Sequence, residues 1–343
     1  MNKNQLRLSI IIPFFNVEKY IAECLDSVYA QDIPESEYEV ICVNDCSPDN
    51  SREIVLEYQK KHDNLILIEH ETNKMLGAAR NTGLRAAQGK YVWFIDSDDY
   101  IRPNVLFKLL DVLKKNSLQI LSFNTQCFNS DGQKFEYVST FPYSINSVIK
   151  GVEFLKNKVP YWKKPVTAWT KIYDREFLLS NHFLYPEGVF FEDEILSLKT
   201  LYQCERFMFH NEVIHYYRVN EQSIMNKNFL SGEKLGHRMI MFFGAIEFLE
   251  NQKKNENVLS EELINYYVDK IIKHKKVVFY LAPHEKQVFY KYIQSIPISL
   301  IDNYSTSVDR FFLYHPLAFS RISNLTLPFL TYLRNLKRKL LNS

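Results

Sequence analysis

Apolar positions in the first third of the chain follow two alternating patterns. Leu8–Phe15 (LSIIIPFF), Tyr38–Asn44 (YEVICVN), Leu65–Glu69 and Tyr91–Ile95 (YVWFI) are short apolar runs, the pattern of strands buried on both faces. Between and after them, Val17–Ala30, Asp49–His62, Gly77–Gln88 and Pro103–Lys115 read as helices. In the first of these, Tyr20, Ile21, Cys24, Leu25 and Val28 share one face. Strand and helix alternate four times, which predicts an α/β fold with a central, mostly parallel sheet.

Past residue 120 the alternation fades. Ile120–Phe128 reads as a further strand, Gly132–Thr140 as a hairpin or loop and Gly151–Lys158 as a helix. Pro160–Arg175 is aromatic and basic, and Phe190–Tyr202 has helical spacing. Leu235–Leu249 and Glu261–Leu281 are predicted helices, and the chain then stays largely helical, with a boundary expected near residues 222–235. Composition narrows the class. Hydrophobic residues make up 46% of the 343, so the chain can bury a core. Lys and Arg total 42 against 40 Asp and Glu, which argues against a nucleic-acid binder. Cys24, Cys42, Cys46, Cys127 and Cys204 form no CxxC pair, so reduced thiols in a cytosolic setting are expected. Ser9–Phe15 is too short to span a bilayer and no later apolar stretch is long enough, so the body is expected on the cytoplasmic side.

A sheet of this kind binds ligands at the carboxyl ends of its strands. Asn16, Asp45 and Asp96 each follow a predicted strand, so they converge on one edge. Phe94-Ile95-Asp96-Ser97-Asp98-Asp99 sets three carboxylates within four positions. Such crowding favours a divalent cation, Mg²⁺ or Mn²⁺, held by Asp96 and Asp98. The other reading is a solvated acidic turn with Asp99 capping the next helix. In Val43-Asn44-Asp45-Cys46-Ser47-Pro48-Asp49, Asp49 or Ser47 can cap the second helix, and Asp45 either accepts hydrogen bonds from a base or ribose or serves the turn alone. Asn73 to Gly83 (NKMLGAARNTG) opens a helix with small residues; its N-terminus, Lys74 and Arg80 suit a diphosphate, or Arg80 makes a surface ion pair. Neither a Walker A loop nor GxGxxG occurs. Phe190-Phe191-Glu192-Asp193-Glu194 offers carboxylates beside aromatic rings, either a base of raised pKa or an acidic first helical turn.

Taken in order, SIIIPFFNVEKYIAECLDSVYAQ, VNDCSPDNS, NKMLGAARNTGLRAAQGKYVWFIDSDD and the Glu192-Asp193 pair resemble the family 2 glycosyltransferases of GT-A fold, over roughly residues 7–225. The resemblance implies an inverting, metal-dependent transferase of the hexosyltransferase class, with a nucleotide-diphospho-sugar donor, a UDP-sugar by family habit. It implies Pro13, Phe14, Asn16, Asp45, Asn73, Lys74, Arg80, Asp96 and Asp98 on the donor, with Asp98 and Asp96 on the divalent cation. Asp193 matches the general base, with Glu192 beside it. Trp169, Lys171, His215 and Arg218 match acceptor-side segments, together with Tyr217. Departures are Asn44 and Cys46, where the family usually has aspartate and glycine, Pro48 for threonine, and Met75 and Leu76 where smaller or more polar residues are common.

The domains implied are a GT-A domain over 1–225, with a nucleotide-binding half at about 7–120 and an acceptor-side half at about 121–225, and a helical region over 226–343. The expected acceptor is a saccharide or lipid-linked saccharide hydroxyl in cell-surface glycan synthesis. Two other classes share parts of this pattern, a sugar nucleotidyltransferase and a non-catalytic sugar-nucleotide-binding subunit. Leu325–Ser343 mixes leucine and aromatics with Arg334, Lys337, Arg338 and Lys339. It suits peripheral contact with the inner face of a membrane, or packing on the body as a terminal helix.

Overall fold

The computed structural model describes residues 6–129, 132, 134–135, 145–156, 167–219, 231–253, 257–278 and 281–296. Much of the expected loop at 132–140, the start of the aromatic-basic stretch and the tail 325–343 lie outside the described residues. The chain divides into two compact units, Met1–Ile224 and Met225–Ser343.

The first unit opens with β1 (Leu8–Phe14), α1 (Ile21–Tyr29), β2 (Tyr38–Asn44), α2 (Ser51–Gln59), β3 (Leu65–Glu69), α3 (Met75–Ala86) and β4 (Tyr91–Phe94). It continues with β5 (Tyr100–Ile101), α4 (Leu106–Lys115), β6 (Ile120–Asn129), β7 (Lys134–Phe135), β8 (Ile145–Ile149) and α5 (Gly151–Lys156). Then come β9 (Lys171–Asp174), α6 (Arg175–Ser180), α7 (Glu192–Gln203) and β10 (Phe207–Val219). Among the described residues the strands form one mixed sheet, in the order β3-β2-β1-β4-β9-β6-β10-β5. Strands β1 to β4 run parallel, β9 is antiparallel to both β4 and β6, and β6 and β10 are parallel. Every residue of β1, β2 and β4 is buried, which is why these strands read as mainly apolar runs, with Ser9, Glu39 and Asn44 as buried polar exceptions. Chain order reverses direction at β1, between β2 and β4, and this switch point opens the crevice at the strands' carboxyl ends.

The structure corrects several sequence boundaries. α1 starts at Ile21 rather than Val17, because the Val17 and Glu18 amides donate to Ser51 Oγ (3.0 Å) and Asp49 Oδ2 (2.8 Å). These side chains hold the preceding residues in a turn. α7 starts at Glu192 rather than Phe190, because Phe191 has φ 66°, outside any right-handed helix. Strands β9 and β10 have no counterpart among the predicted elements. In β10 the pairing with β6 slips between His210 and Val213 and again between Val213 and His215, which breaks the two-residue period.

The second unit holds α8 (Gly232–Gln252), α9 (Asn257–Val278) and α10 (Pro283–Ile293). Gly236 of α8 lies so close to the Tyr292 ring that a Cβ would come within 2.4 Å of it. Among the described residues, no helix is long and apolar enough to cross a membrane.

Candidate active site

The crevice edge is built from loops that follow β1, β2, β3 and β4. Pro13 and Phe14 are buried in β1 and shape it, while Phe15 and Asn16 emerge from its end. The Phe15 ring is 45% exposed. Phe15 is not among the residues the sequence points to, although an aromatic residue one step past a buried strand is visible in it. After β2, the Asn44 carboxamide accepts the Ser47 amide at 2.8 Å and closes a tight turn. Within that turn Cys46 is exposed and has φ 62°, so a cysteine occupies a left-handed position that favours glycine.

Asp45 is buried rather than free. Its Oδ1 faces His70 Nδ1 at 2.7 Å and accepts the Lys74 amide at 2.9 Å. The Asn73 carboxamide also donates to the Asp45 carbonyl at 3.3 Å. Asp45 therefore moors the start of α3 to the end of β2. Asn73 and Lys74 are exposed there, and Met75 adopts φ 69°. Gly77 in the next position but one is required by packing, since a Cβ would lie 2.3 Å from the Pro186 carbonyl.

Arg80 is not on the helix surface. It is 1% exposed and spans two carboxylates, donating to Asp96 Oδ1 at 2.6 Å and to Glu192 Oε1. Its guanidinium carbon lies 5.2 Å from the Tyr185 ring centre, and its Nε is buried without a hydrogen bond. One side chain thus joins the turn after β4 to the first turn of α7, with Glu192 112 residues beyond Arg80 in sequence. Burial pushes the Glu192 carboxyl up to about 7, against the opposing charge of Arg80. Asp193 is partly buried, and its carboxyl is raised by burial, with Arg80 and Lys171 opposing and Asp96 adding to the rise. That is the environment of a carboxylate suited to take a proton.

Asp98 is partly buried and held well above the usual carboxylate range by burial, then by Asp99 and Asp96. Asp99 is no helix cap. Its Oδ1 accepts the Arg218 amide at 2.8 Å, and its Oδ2 lies 3.2 Å from His215 Nε2 without hydrogen-bond geometry. Arg218 Nε donates to the Asp98 carbonyl at 2.9 Å, its guanidinium pairs with Glu23, and it lies over the rings of Tyr20 and Phe128. β10 thereby clamps the acidic turn. Trp169, Lys171 and His215, expected on the acceptor side, are all buried. The Trp169 ring stacks on His215 at 4.5 Å and on Tyr217 at 5.6 Å, forming a floor under the turn. Burial lowers His215 to about 3 and Lys171 to about 7.

Residues 9–181, half of the chain, match the family model described as glycosyl transferase family 2. The chain belongs to that family. Among curated relatives, a poly(ribitol-phosphate) beta-glucosyltransferase of Bacillus spizizenii is 27% identical over 295 residues, covering 84% of this chain and 44% of the relative. The poly(ribitol-phosphate) beta-N-acetylglucosaminyltransferase TarS of Staphylococcus aureus is 30% identical over 269 residues, covering 76% of this chain and 44% of the relative. The chain thus spans less than half the length of either. The crystal structure of S. aureus TarS 1–349 in complex with UDP-GlcNAc superposes with a TM-score of 0.70 at 24% identity, covering 92% of this chain and 88% of that one. The fold is GT-A, as the sequence resemblance implied.

Proposed function

We propose that this family 2 glycosyltransferase moves a sugar, with inversion, from a UDP-sugar onto a hydroxyl of a cell-surface glycan or lipid-linked saccharide. One observation carries the reading: Arg80 holds Asp96, at the switch-point crevice, and Glu192, next to Asp193, in a single buried network. Donor and base are thus set on one frame. The donor lies over the ends of β1, β2 and β4, where the exposed Phe15 ring offers a stacking surface for a base. Asp193 takes the proton of the acceptor hydroxyl as its oxygen bonds the anomeric carbon, and the bond to the diphosphate breaks on the opposite face. The names of the relatives support the class, since two act on poly(ribitol-phosphate) and one was crystallised with UDP-GlcNAc. Residues 1–225 form the transferase domain in this reading, with the donor half at about 7–120.

Asp96 and Asp98 suit a hard divalent cation in donor chemistry. Both are carboxylates, and the charge crowding at Asp98 is what a cation relieves. Among the described residues no cluster of three or more His, Cys, Asp or Glu side chains is placed to hold a metal. Mg²⁺ and Mn²⁺ commonly use one or two protein carboxylates and complete their shell with water and phosphate, so two donors fit. When bound, such an ion neutralises the diphosphate that departs.

The experiment is a screen of UDP-sugars with Mn²⁺ or Mg²⁺, reading nucleoside diphosphate release with and without a polyol-phosphate or glycan acceptor. UDP release is expected from wild type, with Asp193→Asn losing about 10²–10⁴-fold in turnover while still binding donor. Near-normal turnover of Asp193→Asn overturns the base assignment. Release of pyrophosphate instead of UDP points to nucleotidyl transfer. Asp98→Ala is expected to abolish cation-dependent donor binding, and equal donor affinity with and without cation in wild type removes the metal role.

A further inference from the structure

Lys171 is an anomaly in this unit. It stands at the start of β9 and is 0% exposed, and among the described residues none of its hydrogen bonds goes to a carboxylate. Its ammonium makes three hydrogen bonds, to the Thr167 carbonyl at 2.8 Å, Thr170 Oγ1 at 3.3 Å and Ser197 Oγ at 3.1 Å. All three acceptors are neutral. A lysine taken out of water onto neutral partners is costly, and a methionine fills similar space without the cost. The acceptors show what the charge faces. Ser197 lies on α7 four residues after Asp193, so the two share one helix face a single turn apart. Among the described residues the charge of Asp193 acts on Lys171, and Lys171 acts on Asp193 in return.

We infer that Lys171 is a positioning residue for the base: it pins α7 to β9 one turn from Asp193 and lays a buried positive charge beneath that carboxylate. The inference rests on the reading of Asp193 as the base. Other charges and titrating groups reach Asp193 as well, namely Arg80 from α3, Asp96 from the turn after β4, Glu192 beside it, and the phenols Tyr173 and Tyr185. Arg80 is already divided between Asp96 and Glu192. Lys171 is therefore the cation left to serve Asp193 among those acting on it. Its lowered pKa, about 7, fits the role: the charge is present on the acid side, where the base must stay ionised to work.

The test is the pH profile of kcat in Lys171→Met and Lys171→Gln, with Ser197→Ala as a milder variant and Asp193→Asn as the control. Loss of the charge raises the Asp193 pKa, so the acidic limb should move up by about one pH unit in both Lys171 variants. kcat near pH 7 should fall about tenfold while the donor KM changes less than about twofold, since the donor edge is untouched. Ser197→Ala removes one acceptor and no charge, and should move the limb the same way by a smaller step. A limb that stays in place in Ser197→Ala and in either Lys171 variant, with kcat lowered equally at every pH, makes Lys171 a plain structural strut and overturns the inference. If Asp193→Asn keeps its turnover, the base reading has failed. If Asp193→Asn is dead while Lys171→Met keeps the wild-type profile, the Lys171 inference alone has failed.

Discussion

Replacing Arg80 by methionine keeps the length of the side chain and removes the charge that joins Asp96 to Glu192. The side chains are 2% exposed for Arg80, 6% for Glu192 and 23% for Asp96, so solvent screens the Glu192 pair little and the Asp96 pair somewhat. Breaking a buried pair by removing one partner costs about 3–5 kcal/mol, because the other charge is stranded. Part of this is relieved. Glu192 already titrates at about 7 with Arg80 beside it, so without Arg80 it takes up a proton at neutral pH. The expected loss is therefore near the lower end, about 3 kcal/mol, or about 6–12 °C in the midpoint of a unit of this size. Glu192→Gln alone should cost about 1–2 kcal/mol. In the double variant one stranded carboxylate is gone, so its loss should fall short of the sum of the two single losses by about 1.5 kcal/mol or more. Urea unfolding followed by tryptophan fluorescence reads this directly, since Trp93 and Trp169 are both buried in the same unit. Additivity within about 0.5 kcal/mol would refute the bridge as an energetic unit.

Two further outcomes follow from the geometry. Cys46→Gly should stabilise the chain by about 1 kcal/mol, because φ 62° strains a residue with a Cβ and the side chain is exposed; an unchanged midpoint in urea counts against strain at that turn. His215 is neutral in the folded state, its pKa lowered to about 3 by burial, so the stability it contributes is complete above its ordinary value of 6.5 and is lost as pH falls toward 3. Between pH 7 and pH 5 the advantage of wild type over His215→Gln should shrink by about 2 kcal/mol, and a constant difference in melting midpoint across that range contradicts the assignment.

Several features were legible in the sequence because they depend on neighbours along the chain. Three of the four parallel strands, β1, β2 and β4, are buried on both faces, so their composition alone marks them. The buried face of α1, with Ile21, Cys24, Leu25 and Val28, follows from helical spacing. The gathering of Asn16, Asp45 and Asp96 on one edge follows from parallel strands having their carboxyl ends together. Tertiary structure decided the rest. Arg80 and Asp45 looked like free polar groups, yet both are buried and engaged by residues far away in sequence. Strand β10 carries polar residues inside the sheet and two register slips, so no local period announces it. The identity of the candidate site residues was open to reading from the chain. Their burial, and with it the pKa shifts of Glu192, Lys171 and His215, was not, because desolvation is set by what packs over a group rather than by what precedes it.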